Sequence, residues 1–386
     1  MTLFPPTRKE ALTRVEAVQP AEYARSRNAL NGAVTKLSPY ITHGFLSLPE
    51  VLEGVRSKHA VKPQDKLLFE LGWREYYRHV WQHRGNGIFK SLHEGILPEE
   101  AYLHEIPLDV LHACTGVAAV DTAVKTLYAT GYLHNHARMW LASYMVHLRK
   151  VHWRAGADWL YGHLLDGDLA SNHLSWQWVA GTGSHKPYLF NAENVARFAP
   201  EAWHSAGTPI DTSYEALDQI ARQSLPVAAS AISSSNLVEA PLLISSPPTS
   251  LSIGIPNSNV ANGRDVWLVH PWSLGDLPAD LPNDTLVIGI FVSEFHRDWP
   301  WSEKRWVFVE GRMTELASEC WYGDRFSIQL ALQGAKRLGG VSEEHIASWL
   351  PSTGKYNPAP SIFPNVERRC DSFSKWWNLV SKSPSF

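Results

Sequence analysis

The chain has 386 residues, of which 44% are hydrophobic, so it is long enough to bury one large core or two smaller ones and is not a disordered polymer. Its 35 basic and 38 acidic side chains nearly cancel, which excludes a whole-molecule field that attracts polyanions. Only three cysteines occur, far apart in sequence, and they exclude a disulfide framework or a four-cysteine iron–sulfur cluster.

The N-terminal twenty residues lack an apolar core of signal-peptide length. The longest apolar run, Leu286 to Val292, is far too short to span a bilayer. We therefore expect a soluble, cytoplasmic protein with no membrane partner.

A helical pattern extends from Ala21 to Phe198. Apolar residues recur at three and four positions in LLFELGWREYYRHVW, VAAVDTAVKTLYATG and NHARMWLASYMVHLRKVHW. Glycines at positions expected for helix ends are Gly116, Gly131 and Gly156. The sequence predicts an all-helical domain over residues 1–223.

The composition changes after this half. Residues 224–263 are rich in Ser, Ala, Pro and Asn and show no helix or strand period, which predicts a linker. Residues 264–386 contain the short apolar runs VWLVH and TLVIGIFV, a helical stretch SEKRWVFVEGRMTELASECW, and RFSIQLAL as a further strand. The whole chain is thus predicted to be mainly α, with a smaller α/β domain and a parallel sheet at its C-terminal end.

The sequence contains no complete example of a common metal-binding or phosphate-binding motif. The loop that begins at Asp166 has Ser171 where a calcium loop needs its glycine. Two histidine pairs lack the further ligand of a zinc site: His79 with His83, and His134 with His136. There is no Walker loop and no G-x-G-x-x-G after a strand. We expect no metal, and a nucleotide would need another kind of site.

Three helical segments concentrate polar and aromatic side chains on one face, because their members are spaced three or four residues apart. These are Glu70, Trp73, Arg74 and Tyr77; Asn135, Arg138 and Met139; and Asp168, Asn172 and Trp176, with Asp166 before the last helix. Taken singly, each is explained equally well by helix caps, surface ion pairs and core aromatics.

Taken together, the order and spacing of four blocks resemble the FAD-binding domain of the cryptochrome and DNA photolyase family. The blocks are TKLSPYITHGFLS (35–47), FELGWREYYRH (69–79), TGVAAVDTAVKTLYATGYLHNHARM (115–139) and LLDGDLASNHLSWQWVAGTG (164–183). The resemblance implies a U-shaped FAD among helices, with its ring at the bottom of a cavity open to DNA or solvent.

By the same resemblance, particular residues are expected to bind FAD. The phosphates would lie near Tyr23, Thr35, Lys36, Leu37 and Ser38, and the flavin pocket would be completed by Arg74, Asn135 and Arg138. The ring and ribityl region would face Asp166 and Asp168, with Asn172 beside the flavin N5. The resemblance leaves open a second, antenna chromophore.

The family that repairs cyclobutane pyrimidine dimers places five residue types around a flipped-out lesion, and the matching positions here are Glu70, Trp73, Asn135, Met139 and Trp178. The resemblance therefore implies a light-dependent lyase acting on damaged DNA, single- or double-stranded. The alternative is a cryptochrome-like blue-light photoreceptor in which the two tryptophans only fill a cavity. Two interpretations stay open for Arg78, Arg84, Lys90, Arg149, Lys150 and Lys186: a local basic face for DNA, or scattered solvated charge.

Catalytic roles are implied for Glu70 and Asn172, and for Trp176 and Trp153 as inner members of an electron relay to the flavin. No tryptophan lies between Glu94 and Thr115, where the outer member is expected, and Tyr102 is the nearest aromatic candidate. The family places an antenna-type α/β domain before the flavin domain, whereas here an α/β segment follows it. From its pattern, residues 264–386 resemble a shortened antenna-type domain moved to the C-terminal side. The oligomeric state is left open.

Overall fold

The computed structural model describes residues 2–184, 186–228 and 237–382. Its N-terminal half is helical, as predicted. The helices are α1 (Arg8–Glu16), α2 (Pro20–Ser26), α3 (Ser38–Thr42), α4 (Leu48–Arg56), α5 (Lys66–Arg84), α6 (Leu108–Leu111), α7 (Ala118–Thr130), α8 (Asn135–Ser143), α9 (Trp153–His163), α10 (Leu169–Ala180), α11 (Ala192–Phe198) and α12 (Tyr214–Ala221).

The long helix α5 and helix α10 organise this half, because they pack on each other and place their polar faces toward the same space. Helix α10 begins where the Asp168 carboxylate accepts a hydrogen bond from the Ser171 N–H at 2.8 Å. Helix α4 begins with a capping box formed by Ser47 and Glu50. Both starts follow from short polar residues placed directly before apolar periodic segments.

The C-terminal part contains strands and helices in alternation. They are β1 (Leu243–Ile244), α13 (Ser258–Ala261), β2 (Asp265–Val269), β3 (Leu286–Val292), α14 (Ser293–Asp298), β4 (Trp301–Ser302), α15 (Glu303–Leu316), β5 (Glu319–Gly323), α16 (Arg325–Ala331), β6 (Arg337–Ser342), β7 (Lys355–Pro358) and α17 (Phe373–Val380).

Five of these strands form one parallel sheet in the order β5-β3-β2-β6-β7. Strand β3 is buried along its whole length, as expected for a parallel strand covered on both faces. Strand β2, the first of the sheet in sequence, lies at its centre. Strands β3 and β5 are added on one side of β2, and β6 and β7 are then added on the other side. The predicted parallel sheet is confirmed.

Three local predictions are wrong. RFSIQLAL is helix α16 and not a strand, because Asp324 caps its first turn and Ile328 and Ala331 bury one helical face. The end of the predicted helix, at Glu319 to Trp321, belongs to strand β5. Gly156 lies inside α9 and not at a helix end.

The predicted linker holds two short elements. Strand β1 pairs antiparallel with β4, and α13 packs against α16. Residues 229–236 of this segment lie outside the described residues. The sequence did not predict these elements, because the segment shows no helix or strand period. A two-residue strand is also too short to show an alternating pattern.

Buried hydrophobic side chains form two clusters. One cluster joins α1, α4 and α5 to the sheet, and the other fills the space among α6 to α12. The first cluster crosses the boundaries predicted at residues 223 and 264, so the α/β unit and the first helices share one core. Among the described residues, no helix is both long and apolar enough to cross a membrane.

Candidate functional site

A cavity of about 160 Å³, here called the central cavity, lies among α3, α5, α8 and α10. It collects most of the residues that the sequence singled out for cofactor binding. Those that line it are Ser38, Arg74, Asn135, Arg138, Asp166, Asp168 and Asn172, together with Met139 and Trp176.

Two arginine–carboxylate ion pairs line this cavity. Arg138 Nη2 donates to both oxygens of Asp166, at 2.9 and 2.8 Å. Arg74 Nη2 donates to Asp168 Oδ2 at 3.2 Å and to Thr42 Oγ1 at 3.0 Å. Both carboxylates are buried, so each needs its cation to remain in place.

The pKa of Asp168 is set by opposing effects. Burial alone would raise this pKa, but the charges of Arg74 and Arg78 and the hydrogen bond from the Ser171 N–H hold it far below its usual range. Burial lowers the pKa of Arg74, although the Asp168 carboxylate offsets part of that effect. The cavity therefore presents a carboxylate that stays ionised and a guanidinium held against it.

Asn172 is fixed by helix α9. Its Nδ2 donates to the Ala157 carbonyl at 2.8 Å, and the residue lines the central cavity one turn after the Asp168 cap. The amide is thus oriented before any ligand is present.

Two buried polar atoms at the central cavity have no hydrogen-bond partner among the described residues. They are Arg74 Nε and Ser171 Oγ. Buried donors of this kind are rare in a folded protein and are expected where a polar ligand completes the site. Two arginines, two carboxylates, an amide and hydroxyls are a donor and acceptor set that fits a flavin nucleotide.

A second cavity of about 310 Å³, the peripheral cavity, is lined by Tyr23, Thr35 and Lys36. Ser38 lines the central cavity, so the turn from Thr35 to Ser38 lies between the two spaces. Lys36 has a left-handed backbone with φ 51°, which is uncommon for a side chain with a Cβ atom. Leu37 is a core residue with 1% exposure.

A third cavity of about 270 Å³, the aromatic cavity, lies between α5, α10 and the segment that leads into α17. Trp73 and Trp178 both line it. Phe373 stacks on Trp73 with ring centroids 4.1 Å apart and planes inclined by 11°. One face of the Trp73 indole is therefore covered by the C-terminal part of this same chain.

The five predicted lesion contacts do not lie in one space. Trp73 and Trp178 line the aromatic cavity, whereas Asn135 and Met139 line the central cavity. Glu70 is paired with Arg27, whose Nε lies 3.4 Å from its Oε1. Burial raises the pKa of Glu70, and Arg27 and Lys66 offset part of that shift.

Half of the predicted basic face is wrong. Arg78 is paired with Glu343 at 2.6 Å, and Arg149 is paired with Asp109 at 2.5 Å. Lys150 is buried, and its Nζ donates to three backbone carbonyls. These three cations are held by partners within the chain, and Arg84 is paired with Asp371 at 3.4 Å. Lys90 and Lys186 are the exposed members of the set that remain.

The two predicted relay tryptophans are both buried. Trp176 lines the central cavity and packs directly on Gly156, where a Cβ atom would lie only 2.3 Å from its ring. Trp153 donates its indole N–H to Ser91 Oγ at 3.0 Å. Beyond it, the His152 ring lies 5.7 Å from Trp153 and 6.2 Å from Tyr102. Tyr102 thus lies at the end of a run of rings that begins at Trp153.

The loop that carries Asp166 and Asp168 is held from behind by a residue that the sequence did not single out. Arg305 of α15 is fully buried and donates to the carbonyls of Gly167 at 2.6 Å and Tyr161 at 3.2 Å. A Cβ atom at Gly167 would lie 2.5 Å from the Arg305 guanidinium, so this approach needs glycine. Periodicity alone cannot reveal such a contact between distant segments.

A further cavity of about 300 Å³ opens between the sheet and the helical half, near Trp267, Trp272 and Arg78. It lies beside the carboxyl ends of the neighbouring strands β2 and β6. The chain adds β3 and β5 on one side of β2, and β6 and β7 on the other side. Crevices at this point of parallel sheets often bind ligands.

The chain is similar to proteins of known type over part of its length. Residues 67–215 match the family model described as the FAD binding domain of DNA photolyase. A deoxyribodipyrimidine photo-lyase of Streptomyces griseus is 32% identical over 42% of this chain and 36% of its own length. A cryptochrome DASH of Idiomarina loihiensis is also 32% identical, over 49% of this chain and 46% of its own.

The chain therefore spans between a third and a half of the length of these curated relatives. Among solved structures, the cryptochrome of Synechocystis sp. PCC6803 aligns with a TM-score of 0.46 and 24% identity, covering 58% of this chain and 53% of that one.

Proposed function

We propose that this protein binds FAD and uses it to split cyclobutane pyrimidine dimers in damaged DNA under light, because residues 67–215 match the family model described as the FAD binding domain of DNA photolyase. The observation that carries the proposal is the central cavity, where two arginine–carboxylate pairs and an oriented amide surround one space. The aromatic cavity, which helix α5 lines on one side, supplies the surface on which a flipped-out base would stack.

In this proposal the residues of the central cavity hold the flavin part of the cofactor. Arg74 and Arg138 supply positive charge, and Asn172 presents a fixed amide. Tyr23, Thr35 and Lys36 of the peripheral cavity hold the phosphates, with Ser38 between the two spaces. When bound in its reduced form, FAD would supply light-driven single-electron chemistry for splitting the dimer.

The chain's own residues would bind and orient the lesion. Trp178 is 40% exposed and borders the aromatic cavity, so its ring is available to a flipped-out base. Stacking of a base on such a ring is worth ~1–3 kcal/mol. Asn135 and Met139 line the central cavity, where an amide could donate to a pyrimidine edge.

The test is repair of an oligonucleotide that carries one thymine dimer, by purified protein with reduced FAD, in light and in darkness. Light-dependent recovery of intact thymines on single- or double-stranded DNA supports the proposal. Flavin binding without repair on either strand form contradicts the lyase activity, and the absence of bound flavin contradicts the cofactor assignment.

A matched pair of variants makes the test specific. Trp178→Ala removes a ring from the aromatic cavity and is expected to weaken binding of dimer-containing DNA by about tenfold while bound FAD is retained. Trp203→Ala removes a half-buried tryptophan that packs on Trp140, outside that cavity, and should leave DNA binding unchanged. Equal losses in the two variants would show a structural role for Trp178.

The second candidate is a blue-light photoreceptor that acts through flavin photoreduction without repair. It is favoured by the Phe373 ring that covers one face of Trp73, by the burial of Arg149 and Lys150, and by the ion pair of Arg78 with Glu343. The discriminating measurement is light-driven reduction of the bound flavin in the absence of DNA. Photoreduction that is abolished by Trp153→Phe, in a protein without repair activity, would support this candidate.

A further inference from the structure

Helix α10 carries the side chains that face the central cavity, and its first turn is bonded to the distant α/β unit. The N–H of Leu169, directly after Asp168, donates to His345 Nε2 at 3.1 Å. The first N–H groups of a helix have no partner within the helix and must find one elsewhere. Here Asp168 accepts from Ser171, and a histidine 176 residues later in the chain accepts from Leu169.

The His345 ring is held in one tautomer. Glu343 Oε2 accepts from His345 Nδ1 at 2.6 Å and from the His345 backbone N–H at 2.9 Å. Because Nδ1 carries the proton, Nε2 keeps the lone pair that Leu169 needs. Trp272 stacks on the imidazole at 4.7 Å with an interplanar angle of 9°, so the ring cannot turn freely.

Glu343 connects this contact to helix α5. Its Oε1 lies 2.6 Å from Arg78 Nη2, and Arg78 is one helical turn after Arg74, the partner of Asp168. Glu343 and His345 are 4% and 3% exposed. Two buried carboxylates, Asp168 and Glu343, and two half-buried guanidinium groups, Arg74 and Arg78, thus form a series of balanced charge that ends at the imidazole.

We propose that His345, oriented by Glu343, is a positioning residue that fixes the first turn of α10 and thereby the Asp168 and Asn172 side chains toward the cofactor. It acts through Leu169 and does not line the central cavity. The inference rests on the proposed binding of FAD in that cavity.

The experiment compares three variants of the full chain. His345→Phe keeps an aromatic ring beside Trp272 but leaves the Leu169 N–H without an acceptor. His345→Gln can place Oε1 near the position of Nε2 and accept that bond. His296→Phe is the control, because His296 is equally buried in the same unit and packs on Trp301 and Trp306.

Each protein is measured for its melting temperature, its dissociation constant for FAD and the reduction potential of the bound flavin. We expect His345→Phe to weaken FAD binding about tenfold and to change the ratio of affinities for oxidised and reduced flavin. A tenfold change of that ratio is about 30 mV for a two-electron couple. We expect His345→Gln to stay within about threefold of the unaltered protein, and His296→Phe to lower only the melting temperature.

The inference is overturned if His345→Phe and His296→Phe affect FAD binding equally, or if His345→Gln is no better than His345→Phe. Should His345→Phe fail to fold, Glu343→Gln provides the same comparison, since it loosens the ring without removing it. An unaltered protein that binds no FAD would contradict the proposed function instead, so the two failures are distinct.

Discussion

Asn172 shows how a single side chain is prepared by its neighbours. Its nitrogen is bonded to the Ala157 carbonyl, and the residue lines the central cavity between Asp168 and Trp176. A net hydrogen bond of this kind contributes about 1 kcal/mol to stability, so its loss alone does not unfold a domain.

We expect Asn172→Ala to lower the free energy of unfolding by about 1 kcal/mol or less, because alanine also favours the helix. The reduction potential of bound flavin should change, since an oriented amide at the cavity is removed. Urea denaturation and a potential titration measure the two effects. Asn194→Ala, which removes the oxygen that accepts from the Trp140 indole and does not line the central cavity, is the control and should change stability only.

At this scale the resemblance of the sequence blocks to a flavin-binding domain singled out Arg74, Arg138, Asp166 and Asp168, and the structure brings these four residues to one cavity. Their binding of FAD stays a prediction. The sequence could not predict His345 or Glu343. These follow strand β6, whose sequence RLGGVS contains two glycines and too little hydrophobicity to indicate a buried strand. Their contact with Leu169 depends on how two distant segments pack, which no local pattern contains.

Among the elements, helices α9 and α10 pack closely enough to exclude a methyl group. A Cβ at Gly156 would lie 2.3 Å from the Trp176 ring. Helix propensity alone would make Gly156→Ala stabilising by up to ~1 kcal/mol, whereas overpacking costs ~1–3 kcal/mol. We therefore expect a net loss of about 1 kcal/mol or more.

Chemical denaturation measures this loss, and near-ultraviolet circular dichroism reports a displaced Trp176 ring. Gly87→Ala is the matched control, because its nearest neighbour would be an ordinary contact at 3.7 Å. That variant should be neutral or slightly stabilising. A neutral Gly156→Ala variant would show that α9 and α10 can separate without cost.

Elements were predicted unevenly. Long periodic helices such as α5 and α10 were expected from their apolar spacing, and strands β2 and β3 from their continuous apolar runs. The run RFSIQLAL was mistaken for a strand because short apolar runs do not distinguish the two structures. Its Asp324 cap was the local feature that favours a helix.

For the whole molecule, buried neutral histidines cause the free energy of unfolding to fall at acid pH. Burial lowers the pKa of His147, His163 and His270 to about 4. His270 Nδ1 accepts from the Trp272 N–H and Nε2 donates to the Val341 carbonyl, so the folded state holds it neutral. Because the unfolded chain binds these protons more tightly, this stability is complete above pH 6.5 and is lost as the pH falls toward 4.

Glu343 adds a second, more acidic step. Burial would raise its pKa, but the Arg78 guanidinium and the hydrogen bond from His345 Nδ1 hold it well below its usual range. Its contribution is present above about pH 4.5 and is lost as the pH falls well below that value. We expect the free energy of unfolding, measured by urea denaturation from pH 8 to pH 4, to fall below pH 6.5. The dependence should weaken in His270→Gln and persist when the exposed His204 is replaced by glutamine.

The bond from Leu169 to His345 also has a consequence for the order of events during synthesis. The helices that surround the central cavity leave the ribosome first, but the acceptor for the first turn of α10 follows 176 residues later. The Arg305 guanidinium that holds Gly167 follows after 138 residues. Contacts over such separations form late and slow the folding of a chain. The central cavity therefore acquires its final geometry only after the α/β unit has been synthesised. We expect tight binding of a cofactor only once translation has passed His345.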